Sequence, residues 1–115
     1  MTDAEVQEYL RANGYPEHVV RGGKAGLVRG WREFVEQVER GYTLGLEDYR
    51  NDLDVRAILT RAGVEDEDLR ALDDRLKKML TSDVRVWQND AGDFGYPRNA
   101  GAELISDLRS EGLVK

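Results

Sequence analysis

The sequence contains no cysteine. That excludes a disulfide framework, a thiolate nucleophile and any metal site built on thiolates. There is one histidine, His18, which precedes valine and belongs to no Glu-x-x-His pattern. Carboxylate-bridged metal centres in helical bundles draw on several such patterns, so none is expected here. His18 reads instead as a partly buried helix residue. NDAGDFG, residues 89–95, offers oxygen ligands and glycines but not the spacing of a calcium loop closed by a bidentate glutamate. RGGKAG, residues 21–26, is no phosphate loop, because Lys24 is followed by Ala25 and position 18 is His rather than Gly. Neither a G-x-S-x-G elbow nor a plausible catalytic triad is present. The expectation is no catalytic residue, no metal and no cofactor.

Long apolar runs are missing as well. None approaches the ~20 residues that span a bilayer. The opening MTDAEVQEYL is acidic and lacks the basic region and apolar stretch of a secretory leader. A soluble, cytoplasmic protein with no membrane contact is expected. At 115 residues the chain suits one domain, 1–115. Such a domain has a radius of gyration of roughly 13 Å and needs no covalent staple to fold.

What the sequence does have is charge. Seventeen Lys and Arg stand against 23 Asp and Glu, a net of −6. Residues 47–74 hold ten acids and four arginines, so the whole excess lies in this stretch and the remaining chain balances at zero. A field of that sign repels phosphate backbones, which excludes nucleic acid and favours a basic protein as partner. The alternative is that the excess serves solubility. Glu65, Asp66, Glu67, Asp68 and Asp73 are the candidate contact residues.

Helix signals dominate the order along the chain. Thr2 and Glu5 have the spacing of a capping box ahead of Val6, Tyr9 and Leu10, and Asn13-Gly14 offers left-handed closure. Pro16 suits the first position of a short helix through Arg21. Leu27, Trp31, Phe34, Val35, Val38 and Tyr42 then form the clearest amphipathic stripe. Gly22, Gly26 and Gly30 recur within it. Each costs about 1 kcal/mol against alanine, so close approach of another backbone is the expected return. An anion-binding turn with Lys24 at a helix start is the alternative. A helix from about Leu46 to Ala62 stops at Gly63. The next carries Leu69, Leu72, Leu76 and Met79, with acids first and Lys77-Lys78 last, as the helix dipole prefers. Residues 83–97 read as an extended connection with turns. Asn99 can cap a final helix that points Leu104, Ile105 and Leu108 inward and ends at Gly112. The fold class is all-α: a single compact bundle of five or six helices with an extended segment near 83–97. Trp31, Phe34, Val38, Leu53, Leu72 and Leu76 should share one core.

EDYRNDLDVR, residues 47–56, concentrates four carboxylates and two arginines. At about 100° per residue, Leu46, Tyr49, Leu53 and Ala57 fall on one face and Val55, Ile58, Leu59 and Ala62 roughly opposite. This describes a helix between two layers, with an intrahelical ion-pair ladder in which Arg56 lies one turn beyond Asp52.

The run W-x-x-F-V-x-x-V-E-x-G-Y, Trp31 to Tyr42, followed by D-Y-x-N-D-L-D-x-R, Asp48 to Arg56, resembles a group of small bacterial proteins with no known activity. The resemblance spans about residues 15–60 and extends to the YPRNAGAELISDL tail. It implies a bacterial cytosolic setting and carries no functional residue across. Thirteen Arg against four Lys fits a GC-rich genome. Three functions follow. One is a non-catalytic acidic module engaging a basic protein, as an immunity or antitoxin protein blocks a basic toxin. Another is a small enzyme or ligand-binding protein with a pocket of Trp31, Tyr42, Tyr49 and Trp87, in which Arg50, Arg56 or Arg98 holds an anion. A third is a structural homodimer built on one face of the 46–62 helix.

Overall fold

The computed structural model describes residues 2–115. Its elements are α1 (Asp3–Ala12), α2 (Glu17–Arg40), α3 (Leu46–Arg61), α4 (Glu67–Met79), β1 (Trp87–Asn89), β2 (Gly92–Phe94) and α5 (Ala102–Ser110). The bundle is therefore mostly helical, but all-α holds only approximately. The 83–97 segment folds back on itself as an antiparallel hairpin, with Trp87 opposite Phe94 and Asn89 opposite Gly92. Gly92 takes φ 129° at the turn, where a side chain would be strained. No helix among the described residues is long and apolar enough to cross a membrane.

The capping box forms at the start of α1: the Glu5 N–H donates to Thr2 Oγ1 and the Thr2 N–H to Glu5 Oε1, each at 3.2 Å. α2 bends at Gly23, whose φ of 55° and ψ of −150° are not helical. There the Lys24 N–H donates to Asp3 Oδ1 at 2.9 Å. A Cβ at position 23 would lie 2.5 Å from that oxygen. A carboxylate from α1 thus caps the second stretch of α2, and the turn's anion place is filled from within the chain. The close-approach reading of the glycine stripe fails. Nothing comes within 4 Å of a Cβ built at Gly22 or Gly30, and Gly26 meets only the Arg29 guanidinium at 3.9 Å.

One apolar cluster runs from Val6 and Leu10 of α1 to Leu104 and Leu108 of α5. Trp31, Phe34, Val38, Leu53, Leu72 and Leu76 all lie in it, as the periodicity indicates. The radius of gyration is 14.6 Å, with extents of 45 × 27 × 21 Å. That is longer than the roughly 13 Å of a rounder domain. α1 packs against α2 alone among the elements, which draws the molecule out.

Loops tie distant elements together. Asn99 Nδ2 donates to Val38 O at 3.0 Å, so Asn99 caps the end of α2 and not the start of α5. The Leu46 N–H donates to Asp107 Oδ2 at 2.9 Å, so α5 supplies the cap of α3. The Tyr49 hydroxyl donates to Gly95 O at 2.6 Å and anchors the base of the hairpin on α3. Gly95 is forced at that crossing, since a Cβ would sit 2.0 Å from Thr81 O.

Candidate functional site

α3 runs through the middle of this arrangement, packed by α2, α5 and β1. Its charged side chains do not pair along the helix. The expected Asp52–Arg56 ladder is absent, because both residues find better partners on other elements. Arg56, 7% exposed, donates from Nε to both Asp73 oxygens at 3.1 Å. Its Nη1 donates to Thr60 Oγ1 at 2.8 Å, and its Nη2 approaches Glu65 at 3.3 Å. Trp31 Nε1 donates to Asp73 Oδ1 at 3.0 Å. This network faces a cavity of about 60 Å³ closed by Ala91 and Phe94 of the hairpin. Room there suits one or two waters.

That geometry gives three of the five acids expected to contact a partner, Glu65, Asp66 and Asp73, partners within the chain. Asp73 is half-buried and committed to Trp31 and Arg56. Glu65 is exposed but paired to Arg56. Asp66 is the N-cap of α4, accepting the Leu69 N–H at 2.9 Å, and it also meets Lys24 at 3.6 Å. Those contacts, the Leu69 N–H first, hold its carboxyl below the usual carboxylate range. Only Glu67 and Asp68 remain exposed without a hydrogen bond or ion pair among the described residues. Arg70, Arg75, Lys77 and Lys78 are exposed along the same helix, so the surface of α4 is mixed in sign.

The aromatic pocket also dissolves into separate places. Trp31, Tyr42 and Tyr49 are fully buried. Tyr42 and Tyr49 meet edge to face at 5.4 Å, and Phe34 bridges them to Trp31. These rings are the core and leave no room for a ligand. The Tyr42 hydroxyl donates to Asp52 Oδ2 at 2.8 Å. Burial raises the Asp52 carboxyl and the Asp48 charge adds to the rise, while the Tyr42 hydroxyl opposes it. Arg98 is exposed near the end of α4, where its N–H donates to Met79 O, away from the other members. Arg50 and Trp87 do come together. Leu46, Tyr49, Leu53 and Ala57 on one face of α3, and Leu59 and Ala62 on the other, are buried inside the chain.

Around Arg50 and Trp87 lies a groove of about 480 Å³ between α3, β1 and α5, within the range of ligand sites. Leu46, Glu47, Asn51 and Asp54 of α3 line one side, and Asp107, Ser110 and Glu111 the other. The Arg50 guanidinium carbon stands 5.2 Å from the Trp87 ring centroid, a cation–π arrangement. The edge of the indole is fixed, because Trp87 Nε1 donates to Asp54 Oδ1 at 2.7 Å. Asn89 Nδ2 donates to the same oxygen at 3.0 Å and to Leu53 O at 3.2 Å. Arg50 is held loosely by contrast: Nη1 to Glu111 at 3.4 Å, Nη2 to Val86 O at 3.3 Å, and a buried Nε with no partner. Glu47 makes no hydrogen bond or ion pair among the described residues. Four carboxylates thus line a groove that holds one guanidinium, and of these Glu111 alone is within ion-pair distance of it. Glu47 and Asp54 stand in the acidic stretch, but Asp107 and Glu111 come from the balanced tail, and only the fold shows that they converge. No family model matches the chain, and no curated protein or solved structure does.

Proposed function

We propose that this chain is a non-catalytic binding module that engages a basic protein partner through the groove between α3, β1 and α5. The observation that carries the reading is the groove itself. It is concave, has a half-buried indole as one wall, and sets Glu47, Asp54, Asp107 and Glu111 against the single charge of Arg50. Such a site attracts a lysine or arginine side chain, offering carboxylates for its charge and an aromatic face for its stem or guanidinium. The interaction surface therefore moves from the first turn of α4 to the far side of α3. A cytoplasmic bacterial role of the immunity or antitoxin kind, in which an acidic protein occupies a basic protein's anion-binding surface, agrees with this chemistry. Anion binding fits the groove poorly, because its acids outnumber its one cation.

A titration at low ionic strength tests the reading. An arginine-rich peptide is added to ¹⁵N-labelled protein, with the citrulline analogue as an uncharged control. Shifts confined to Glu47, Arg50, Asn51, the Trp87 indole N–H and Glu111, absent with citrulline, are expected. They should weaken as salt screens the charges. No shift with the arginine peptide, or shifts centred on Glu67 and Asp68, would end the proposal.

A further inference from the structure

Resting on that reading, we infer that Arg50 is a displaceable occupant of the groove: it covers the Trp87 ring face until a partner's arginine or lysine takes its place. The seat is already used for the chemistry assigned to the partner. A guanidinium rests over the indole at 5.2 Å and reaches toward Glu111. Its hold is incomplete, with two contacts of 3.3 and 3.4 Å at the long end of the hydrogen-bond range and one buried donor unpaired. Arg56, on the same helix, shows what a committed arginine looks like. Its Nε reaches both oxygens of Asp73 at 3.1 Å, and Nη1 and Nη2 have partners of their own.

The receiving site is in turn rigid where Arg50 is not. The indole N–H is bonded to Asp54, which also holds Asn89, so the ring plane is fixed by α3 and the hairpin together. Asp107 is fixed by capping α3. An incoming cation therefore meets a formed aromatic wall and formed carboxylates, and the one group that must move is the one with the poorest contacts. The exchange conserves charge over the ring. Arg50 swings toward solvent, where its exposed neighbour Glu47 has no other partner.

The consequence for affinity is of unusual sign. An occupant that must leave lowers apparent affinity by the fraction of time the seat is free. Removing Arg50 should then tighten binding, although Arg50 lies inside the site. Loss of one positive charge would tighten binding in any case, so the discriminating step is a double-mutant cycle with the ring. Arg50→Gln is compared in the wild-type and Trp87→Leu backgrounds by titration with the arginine-rich peptide. The hairpin of the Trp87→Leu variant is kept by Asn89 and by the Arg61–Asp90 pair, and Trp31 emission reports that the core is intact. We expect Arg50→Gln to tighten binding at least threefold with Trp87 present and less than half as much without it. In the wild-type protein, the Arg50 Nε–H resonance should gain the relaxation of a mobile side chain when peptide is added. Equal tightening in both backgrounds, weaker binding by Arg50→Gln, or an Arg50 side chain that stays ordered in the complex would overturn the inference. In each of those cases peptide still binds in the groove, so the proposed function stands. Absence of binding in every variant would remove both.

Discussion

Arg56 and Arg50 leave the same helix toward different neighbours, and the contrast separates what holds this protein together from what it presents. On the α4 side, Arg56 is buried, reaches both oxygens of Asp73 and shares that carboxylate with Trp31. On the α5 side, Arg50 spans a groove with long contacts and one donor unmet. Satisfied charge buried between helices specifies a fold. A charge left half-satisfied at the edge of a groove remains available.

The largest effect should come from breaking the buried side. Arg56→Ala leaves Asp73 without its charge partner, and chemical denaturation should show a loss of about 3–5 kcal/mol. A loss under about 1 kcal/mol would erase the distinction between the two arginines. The Arg56→Met/Asp73→Leu double variant should recover most of the stability, because no buried unpaired charge remains and Glu65, which loses its partner, is exposed. Its residual deficit is the Trp31 N–H.

The carboxylates divide in the same way. Asp66 caps α4, so Asp66→Ala should cost about 1 kcal/mol, while Asp66→Asn, which also caps, stays near wild type. The folded Asp66 carboxyl titrates below its ordinary value, so its contribution is complete above about pH 4 and is lost as pH falls through the folded value. The gap between wild type and Asp66→Ala should close in that acid range. Arg50→Ala, by contrast, should change stability by less than about 1 kcal/mol, as for a partly exposed pair. A larger loss would make Arg50 a structural residue and contradict its role as an occupant.

The smallest effect has the opposite sign. Asp52 is raised by burial, so its carboxyl favours the fold below its unfolded value, and that contribution is lost as pH rises through the folded one. Asp52→Asn keeps an oxygen for the Tyr42 hydroxyl and should be no less stable than wild type at neutral pH. Any advantage should shrink on acidification in paired thermal melts.

Much of the fold is legible in the sequence because it is local. The Thr2–Glu5 box, the stripe from Leu27 to Val38 and the stop at Gly63 depend on neighbours a few residues away. The sequence misleads where one residue type has two uses. Asn99 has the chemistry of an N-cap but spends it on the Val38 carbonyl. Four acids from Glu65 to Asp68 look like one patch, yet Asp66 caps the start of α4 and Glu65 serves Arg56. Helical spacing places Arg56 one turn beyond Asp52 but carries no word of Asp73. The groove is the least legible part, since Glu111 and Asp107 meet Arg50 and Leu46 only across 61 positions of chain.

Such separations also set an order of assembly. The Asp3 cap on Lys24 closes a loop of 21 residues, whereas Tyr49 reaches Gly95 across 46 and Asp107 reaches Leu46 across 61. Closing a longer loop costs more chain entropy before any contact rewards it. The α1–α2 hairpin can therefore form early from local contacts, while the junction of α3, the β-hairpin and α5 waits until α5 has been made. During synthesis the groove exists only once Glu111 has emerged. A partner that recognises the groove recognises a chain in which α3, β1 and α5 have already met.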